Sequence, residues 1–230
     1  MHFLDVASSL AATVARLGSG MSANASAKRP VERLIVYDFE SCPFCRKVRE
    51  ALTHLDLEAE IRPSPKRGHR YRDECIDRGG KPQFPYLIDP NTGEEMYESD
   101  DIVNYLYREY GKGSPPASQL GMFPVLTGSL ASGLRAGKGT YAKASKAPED
   151  ALELWSFEAS PFCRIVRERL CELELRYVLH NVGKGSAERA AFVKRSGKMQ
   201  VPYLVDPNTG QSLFESADIV EYLDQTYATE

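Results

Sequence analysis

The sequence predicts an α/β protein made of two tandem copies of one β-α-β-α-β-β-α unit, each preceded by a helix. Three blocks recur in the same order in both halves of the chain: 34–46 matches 152–164, 83–93 matches 200–210, and 98–103 matches 215–220. Matched blocks in one order are the signature of an internal repeat, and they decide the architecture before any single element is assigned.

The first half of the unit reads as strand, helix, strand. Residues 34–39 form a short apolar run rich in strand formers, which is typical of a buried strand. Ser41 and Pro43 then mark a helix start, because Pro is well tolerated in the first turn. Residues 57–61 form the next strand. A helical crossover between two strands favours a right-handed unit with parallel pairing.

The second half of the unit is predicted from turn and cap residues. Residues 70–78 indicate a polar helix, and a strand over 86–88 runs into the turn-forming sequence of 89–93. A short strand follows at 96–97. Ser99 then caps a final helix whose apolar residues recur at helical spacing.

Weaker similarity extends the repeat upstream, since 9–20 resembles 129–139, and each of these stretches ends in Gly-x-Gly. Gly and Pro residues over 111–116 mark the end of the first domain. These signals predict four segments: an N-terminal helix and linker over 1–30, a first domain over 31–112, a linker with a helix over 113–150, and a second domain over 151–230.

Composition narrows the function classes. The chain has 230 residues and a formal net charge of −3, which gives no indication of a nucleic-acid partner. No apolar run is long enough to predict a transmembrane segment. The five cysteines are an odd number, and no secretory signal precedes them. We therefore expect a cytoplasmic location, or an organellar stroma if a transit peptide has been removed.

The first copy carries the pair with the clearest chemistry, Cys42 and Cys45. Cys42 stands where a helix begins, so free backbone N–H groups and the helix dipole would stabilise its thiolate, and Cys45 lies one turn later. Three interpretations fit the Cys-x-x-Cys spacing: a site for redox or glutathione chemistry, a metal site, and a motif that has lost its function. No second Cys pair or His pair completes a zinc site, so no metal is predicted. Arg46, Lys47 and Arg49 are expected to form a solvated face.

These motifs resemble those of the glutaredoxins and of the N-terminal domain of glutathione transferases. The resemblance rests on the strand, the Cys-Pro-Phe-Cys helix, an x-Pro before a strand and a Glu-Ser helix start. Cys-Pro-Phe with Tyr-Glu-Ser looks most like the omega-type, cysteine-containing transferases. The resemblance implies a thioredoxin-like fold for each domain and glutathione as the bound cofactor.

It also implies a set of glutathione-binding residues in each domain. Cis prolines would turn the preceding backbone toward the cysteinyl part of glutathione, Glu-Ser pairs would hold its γ-glutamyl end, and a Lys would meet its glycyl carboxylate. In the first domain these residues are Phe84, Pro85, Glu98, Ser99 and Lys66. In the second domain they are Ser160, Cys163, Val201, Pro202, Glu215, Ser216 and Lys184.

The two copies differ at the thiol position. Ser160 stands where the first copy has Cys42, and Cys163 matches Cys45. A Ser hydroxyl is not a redox nucleophile, although it could donate a hydrogen bond to the thiolate of bound glutathione, as in Ser-type transferases. Cys163 is expected to be buried. The second site is therefore predicted to be transferase-like or degenerate.

Three functions follow as hypotheses. The first is a glutathione-dependent thiol–disulfide oxidoreductase with Cys42 as nucleophile, acting on small or protein disulfides. The second is a glutathione transferase-type enzyme, although only residues 113–150 separate the units and the usual helical domain for a second substrate is not expected. The third is a glutathione-sensing or [2Fe–2S]-holding module. The sequence is compatible with a dimer.

Overall fold

The computed structural model describes residues 3–24 and 26–229. Residues 1, 2, 25 and 230, which belong to the predicted first and last segments, lie outside the described residues. The helices are α1 (Phe3–Ala15), α2 (Pro43–His54), α3 (Arg70–Gly79), α4 (Ser99–Tyr110), α5 (Met122–Leu134), α6 (Pro161–Glu172), α7 (Arg189–Ser196) and α8 (Ser216–Tyr227). The strands are β1 (Leu34–Asp38), β2 (Ala59–Pro63), β3 (Tyr86–Asp89), β4 (Glu94–Met96), β5 (Leu152–Ser156), β6 (Tyr177–Asn181), β7 (Tyr203–Asp206) and β8 (Gln211–Phe214).

The two units have the same strand pairing. In the first, β1 pairs in parallel with β2 and antiparallel with β3, which pairs antiparallel with β4. In the second, β5 pairs in parallel with β6 and antiparallel with β7, which pairs antiparallel with β8. The predicted fold class, two tandem thioredoxin-like units each preceded by a helix, is confirmed.

The two units share one continuous sheet, which the sequence analysis did not foresee. Strand β2 pairs antiparallel with β6, so the order across the eight strands is β4-β3-β1-β2-β6-β5-β7-β8. Glu60 lies opposite Val178. Those two residues hold the same position in the repeat, so a pseudo-twofold axis passes between them. The join also covers the strand edge that each unit would otherwise expose.

Helices cover both faces of this sheet. On one face α2 packs with α4, and α6 packs with α8. Their apolar residues and those of the strands beneath them form one buried cluster that crosses the join and includes Leu52, Leu106, Leu170 and Tyr177. On the other face α3 and α7 cover smaller aromatic clusters. Because the main cluster crosses the join, the two units share one core.

The repeated Asp-Pro-Asn-Thr-Gly turn has a structural role. Asp89 caps the turn by accepting the backbone N–H of Asn91 at 2.9 Å, and it accepts the hydroxyl of Tyr105 at 2.6 Å. Asp206 does the same in the second unit, accepting from Tyr222 at 2.6 Å. The turn is thereby fixed to the last helix of its unit.

The leading helices are exchanged between the units. Helix α1 leads the first unit but packs on α6 of the second, where Ser9 Oγ donates to the carbonyl of Pro161 at 2.8 Å. Helix α5 leads the second unit but packs on α2 of the first. A Cβ on Gly128 would lie only 3.1 Å from Cβ of Pro43, so glycine permits this close approach. Each site-bearing helix is therefore covered by the other unit's leading helix.

A buried ion cluster fills the space between α2 and α6. Arg49 Nε lies 3.0 Å from Glu158 Oε2, and Arg167 reaches Glu40 with Nε and Nη2 at 3.2 and 3.1 Å. Arg167 also lies 2.9 Å from Glu158 Oε2. Further out, Arg16 pairs with Glu50, as shown by their bidentate contact. Each inner Arg therefore bonds a Glu of the opposite unit.

Arg135 extends the cluster on the other side, where it binds both carboxylate oxygens of Glu168 at 2.7 and 2.6 Å. The expectation that Arg46, Lys47 and Arg49 form a solvated face is therefore wrong, since all three are buried. Their helix face meets the other unit's carboxylates and the start of α4 rather than water.

The cluster makes stability depend on pH through Glu158. Burial alone would raise the pKa of this carboxyl, but Arg167, Arg49, Arg46 and Arg164 outweigh it and lower the pKa to about 2. A depressed carboxyl pKa contributes stability above its ordinary value of 4.5, and this is lost as the pH falls toward about 2. The difference corresponds to roughly 3 kcal/mol at neutral pH.

We predict that Glu158→Gln lowers the free energy of unfolding by about 3 kcal/mol at pH 7, because several buried guanidinium groups lose their carboxylate. The loss should shrink as the pH falls toward 3. Denaturant unfolding at both pH values measures it. The exposed Glu221→Gln is the control and should stay within about 0.5 kcal/mol of the parent protein. An equal loss at both pH values would contradict the assignment.

Candidate functional site

The Cys42 sulfur lies at the first turn of α2. Cys42 is the N-cap residue, with φ −73° and ψ 121°, and its Sγ accepts the backbone N–H of Cys45 at 3.3 Å. Pro43 follows as the first helical residue, where a missing N–H costs nothing because that position has no intrahelical acceptor. The sequence therefore places a sulfur where a helix offers unpaired donors.

This position favours the thiolate. Burial alone would raise the pKa of the Cys42 thiol. Hydrogen bonds from the Cys45 thiol and from the backbone N–H groups of Cys45 and Phe44 outweigh burial, and Arg49 adds a smaller favourable charge. The net effect lowers the pKa of Cys42, as expected for a nucleophilic cysteine.

Cys45 has the opposite character. It is fully buried, and burial, followed by its hydrogen bond to Cys42, raises its pKa well above the ordinary value. The Cys45 sulfur therefore keeps its proton, and its S–H group donates a hydrogen bond to the Cys42 sulfur. The thiolate is thus favoured at Cys42 and the thiol at Cys45, and both cysteines are reduced.

The other sequence-predicted residues of the first unit lie at the ends of neighbouring elements. The bond between Phe84 and Pro85 is cis, directly before β3. Glu98 has φ +64° and precedes α4, whose first residue is the buried Ser99. The Glu98 carboxylate accepts a hydrogen bond from the side chain of Gln83. The structure thus places these residues at loop ends.

The second unit repeats this arrangement around Ser160. Its Oγ accepts the backbone N–H of Cys163 at 3.3 Å, in the same cap geometry as Cys42. The bond between Val201 and Pro202 is cis, and Glu215 has φ +63° before the buried Ser216. Burial raises the pKa of the Cys163 thiol. The frame is therefore the same in both units, whereas the capping atom is sulfur in one and oxygen in the other.

The two lysines are exposed, and their backbones have a role that the sequence did not reveal. The N–H of Lys66 donates to the carbonyl of Thr140 at 2.7 Å, and the N–H of Lys184 donates to the carbonyl of Met21 at 2.9 Å. Thr140 and Met21 follow the Gly-x-Gly of the leading segments. Each lysine therefore anchors the other unit's leading segment through its main chain.

Sequence reasoning also missed the residues that precede each site. Glu40 and Glu158 lie two positions before Cys42 and Ser160, and both are buried in the ion cluster. A signal was present, because Phe-Glu precedes the motif in both copies and Arg recurs at the same helix positions. Considered one at a time, these charged residues look like ordinary surface residues.

A cavity of about 730 Å³ lies beside the second unit. Its wall combines apolar side chains from four helices with charged side chains; the apolar ones include Leu4, Leu134, Ile165 and Val220, and the charged ones are Asp5, Arg135, Lys138, Glu221 and Asp224. The matching face of the first unit is covered by a 3-10 helix, Ala117–Gln119, whose Gln119 accepts the hydroxyl of Tyr107 at 3.0 Å. The exchanged leading helices thus help to form a pocket on one unit.

Two negative findings apply to the described part of the chain. Within residues 3–24 and 26–229, no group of three or more His, Cys, Asp or Glu side chains is arranged to hold a metal ion. None of the helices in those same ranges combines the length and apolar character needed to cross a membrane.

The profile of the "Glutathione S-transferase, N-terminal domain" matches this chain twice, over residues 36–117 and 154–230. A glutathione transferase of Bombyx mori is 24% identical, with a TM-score of 0.30, over 37% of this chain and 39% of that chain. The chain thus spans about two fifths of that enzyme. A trimeric glutathione transferase of Leishmania is 13% identical, with a TM-score of 0.30, over 87% of this chain and 68% of that chain. No curated protein matches the chain.

We predict that Cys45→Ala raises the pKa of Cys42, because the Cys45 thiol donates the strongest of the hydrogen bonds that favour the thiolate. The pH dependence of the ultraviolet absorbance of the thiolate measures it, with Cys42→Ser as the baseline. Cys75→Ala, which removes a buried thiol under α3, is the control and should leave the titration unchanged. An unchanged titration in Cys45→Ala would contradict this division of roles.

Proposed function

The chain belongs to the family of the glutathione S-transferase N-terminal domain, and from that premise we propose that it is a glutathione-dependent thiol–disulfide oxidoreductase with Cys42 as its nucleophile. The observation that carries the proposal is the Cys42 sulfur at the first turn of α2, hydrogen-bonded to the Cys45 N–H and lowered in pKa. A thiolate held in this way attacks disulfides at neutral pH.

The reaction consists of two exchanges. The Cys42 thiolate attacks the glutathione sulfur of a glutathionylated thiol, a new S–S bond forms, and the substrate thiol leaves with the electron pair and takes up a proton. The thiolate of a second glutathione then attacks the mixed disulfide, which releases oxidised glutathione and restores the Cys42 thiolate. The sulfur of the second glutathione is oxidised and the substrate sulfur is reduced, while the first glutathione sulfur remains part of a disulfide throughout.

Cys45 offers a second route for resolution. Its thiol could attack the mixed disulfide and form a Cys42–Cys45 disulfide, but this requires a thiolate where burial strongly favours the thiol. Attack by glutathione therefore dominates in this proposal. The main contribution of Cys45 is the hydrogen bond that it donates to Cys42.

Glutathione would lie along the loop ends that surround Cys42. The backbone of Phe84 before cis-Pro85 would pair with its cysteinyl part, and Glu98 with Ser99 would hold its γ-glutamyl end. Lys66 would meet the glycyl carboxylate. In the second unit the same contacts would come from Val201, Glu215, Ser216 and Lys184 around Ser160, and Cys163 would stay buried behind them. The proposed partners are small or protein disulfides in a reducing compartment. The proposal is compatible with a dimer.

A second candidate function is transferase chemistry in the second unit. The cavity lined in part by Leu4, Leu134, Ile165 and Val220 favours it, since a conjugating enzyme needs room for an electrophile. Ser160 would then stabilise the thiolate of bound glutathione by a hydrogen bond. Glutathione sensing, or a [2Fe–2S] cluster held through Cys42 and glutathione, is the non-catalytic alternative.

We predict that Cys42→Ser abolishes glutathione-dependent reduction of a glutathionylated peptide, with a loss of at least about 10³-fold in kcat/KM, since a hydroxyl does not replace the attacking thiolate. Cys163→Ser is the control, since it changes a buried cysteine of the other unit at the position that matches Cys45, and it should retain full activity. Reduction that survives Cys42→Ser would overturn the proposal.

The transferase candidate makes a separate prediction. Conjugation of an aromatic electrophile to glutathione, followed by absorbance, should fall about tenfold in Ser160→Ala, because the lost hydrogen bond is worth about 1–1.5 kcal/mol. Cys42→Ser should leave this conjugation unchanged. Complete inertness of the parent protein toward such electrophiles, or equal rates in Ser160→Ala, would reject this candidate.

A further inference from the structure

The loop that leads into Cys42 is bound by the second unit. Arg167 of α6 reaches both carboxylate oxygens of Glu40 at 3.2 and 3.1 Å. The backbone N–H of Glu40 donates to Cys171 Sγ at 3.4 Å, and Cys171 donates in turn to the carbonyl of Gly139 at 3.3 Å. Glu40 is therefore bound at both its side chain and its main chain by groups from outside its own unit, in addition to Arg49 of its own unit, which donates to its carbonyl at 3.1 Å and lies 3.2 Å from its carboxylate.

The following residue is bound as well. Thr140 Oγ1 donates to Ser41 Oγ at 2.7 Å, and Thr140 itself is held by its backbone pairing with Lys66. Glu40 and Ser41 are the two residues directly before Cys42. Both are thus attached to the second unit or to its leading segment.

The reciprocal contacts differ in kind at the residue directly before the capping position. The first unit holds the loop before Ser160 through Arg49 on Glu158 and through Thr53, which accepts the Glu158 N–H at 3.3 Å. The positions that match Ser41 and Thr140 are Ala159 and Met21, which have no hydroxyl. Ala159 is held through its main chain instead, since its N–H donates to the carbonyl of Gly20 at 3.1 Å and its carbonyl accepts the hydroxyl of Thr13 at 2.8 Å. The contact between two side-chain hydroxyls is therefore specific to the Cys42 loop.

We propose that the second unit positions the nucleophile of the first: Arg167, Cys171 and Thr140 fix the loop at Glu40 and Ser41 and so hold the Cys42 sulfur against the first turn of α2. These three are positioning residues, because their contacts with the loop are made to Glu40 or Ser41 rather than to the Cys42 sulfur. The inference rests on the proposed function only in taking the Cys42 sulfur as the working group.

The consequence is a change in thiol ionisation when the loop is loosened. Ionisation of the Cys42 sulfur depends on its distance from the Cys45 N–H. A more mobile loop should therefore weaken that hydrogen bond and lower the thiolate fraction. Two charged groups act on this pair: Arg49 on the same helix lowers the pKa of both thiols, and Asp38 at the end of β1 raises the pKa of Cys45. Helix α5, which packs over α2, contains no titratable side chain.

Thiolate titration by ultraviolet absorbance tests this in the full-length protein, with Cys42→Ser as the baseline. Thr140→Val removes the contact with Ser41 without changing charge and should lower the thiolate fraction at neutral pH about threefold, equivalent to about half a pKa unit. Arg167→Lys keeps the charge but loses the two-oxygen contact, and it should act in the same direction. If Arg167→Lys does not fold, Thr140→Val decides alone.

The control is Thr53→Val, which removes the contact with the Ser160 loop that corresponds to the Cys171 contact with Glu40, and it should leave the Cys42 titration unchanged. A folded Thr140→Val with the parent titration, or an equal shift in Thr53→Val, would overturn the inference. The titration needs no glutathione. Absent turnover in the parent protein therefore rejects the proposed oxidoreductase, whereas an unmoved titration rejects the positioning role.

Discussion

The buried pairing of Arg49 with Glu158 and of Arg167 with Glu40 is the constraint on which the rest of the structure depends. Four ionised groups taken out of water are tolerable only when each meets its partner in good geometry. Each pair links a helix of one unit with the loop before the site of the other. The relative placement of the two units is therefore specified by electrostatics as well as by the strand join between β2 and β6.

The cluster is symmetric in its Arg and Glu residues but asymmetric around them. In the first unit Asp38 forms an ion pair with Arg49. In the second unit the matching residue is Ser156, whose uncharged hydroxyl accepts a hydrogen bond from Arg167. The burial of Asp38 raises its pKa despite Arg49. The extra carboxyl and the Cys42 thiol occur in the same unit, whereas the second unit has the neutral Ser156 and Ser160 at these positions and the open cavity beside them.

Much of the fold could be predicted from the sequence, because strand, cap and turn residues act locally and the repeat doubles each signal. Cys42 at a helix start is such a local inference, and so is the burial of Cys163. The β2–β6 join, the exchange of α1 and α5, and the burial of Arg49 could not be predicted. These depend on which surface meets which, and a charged helix face looks the same whether it meets water or a partner's carboxylates.

The strand pairing across the pseudo-twofold axis, with Glu60 opposite Val178, is the geometry of a symmetric dimer contained in one polypeptide. In a true homodimer every residue is present twice, so a change that suits one site is imposed on both. Covalent fusion removes that restriction, and the two copies here already differ at Cys42 and Ser160. One half is then free to lose its own chemistry and to be retained as a scaffold for the chemistry of the other.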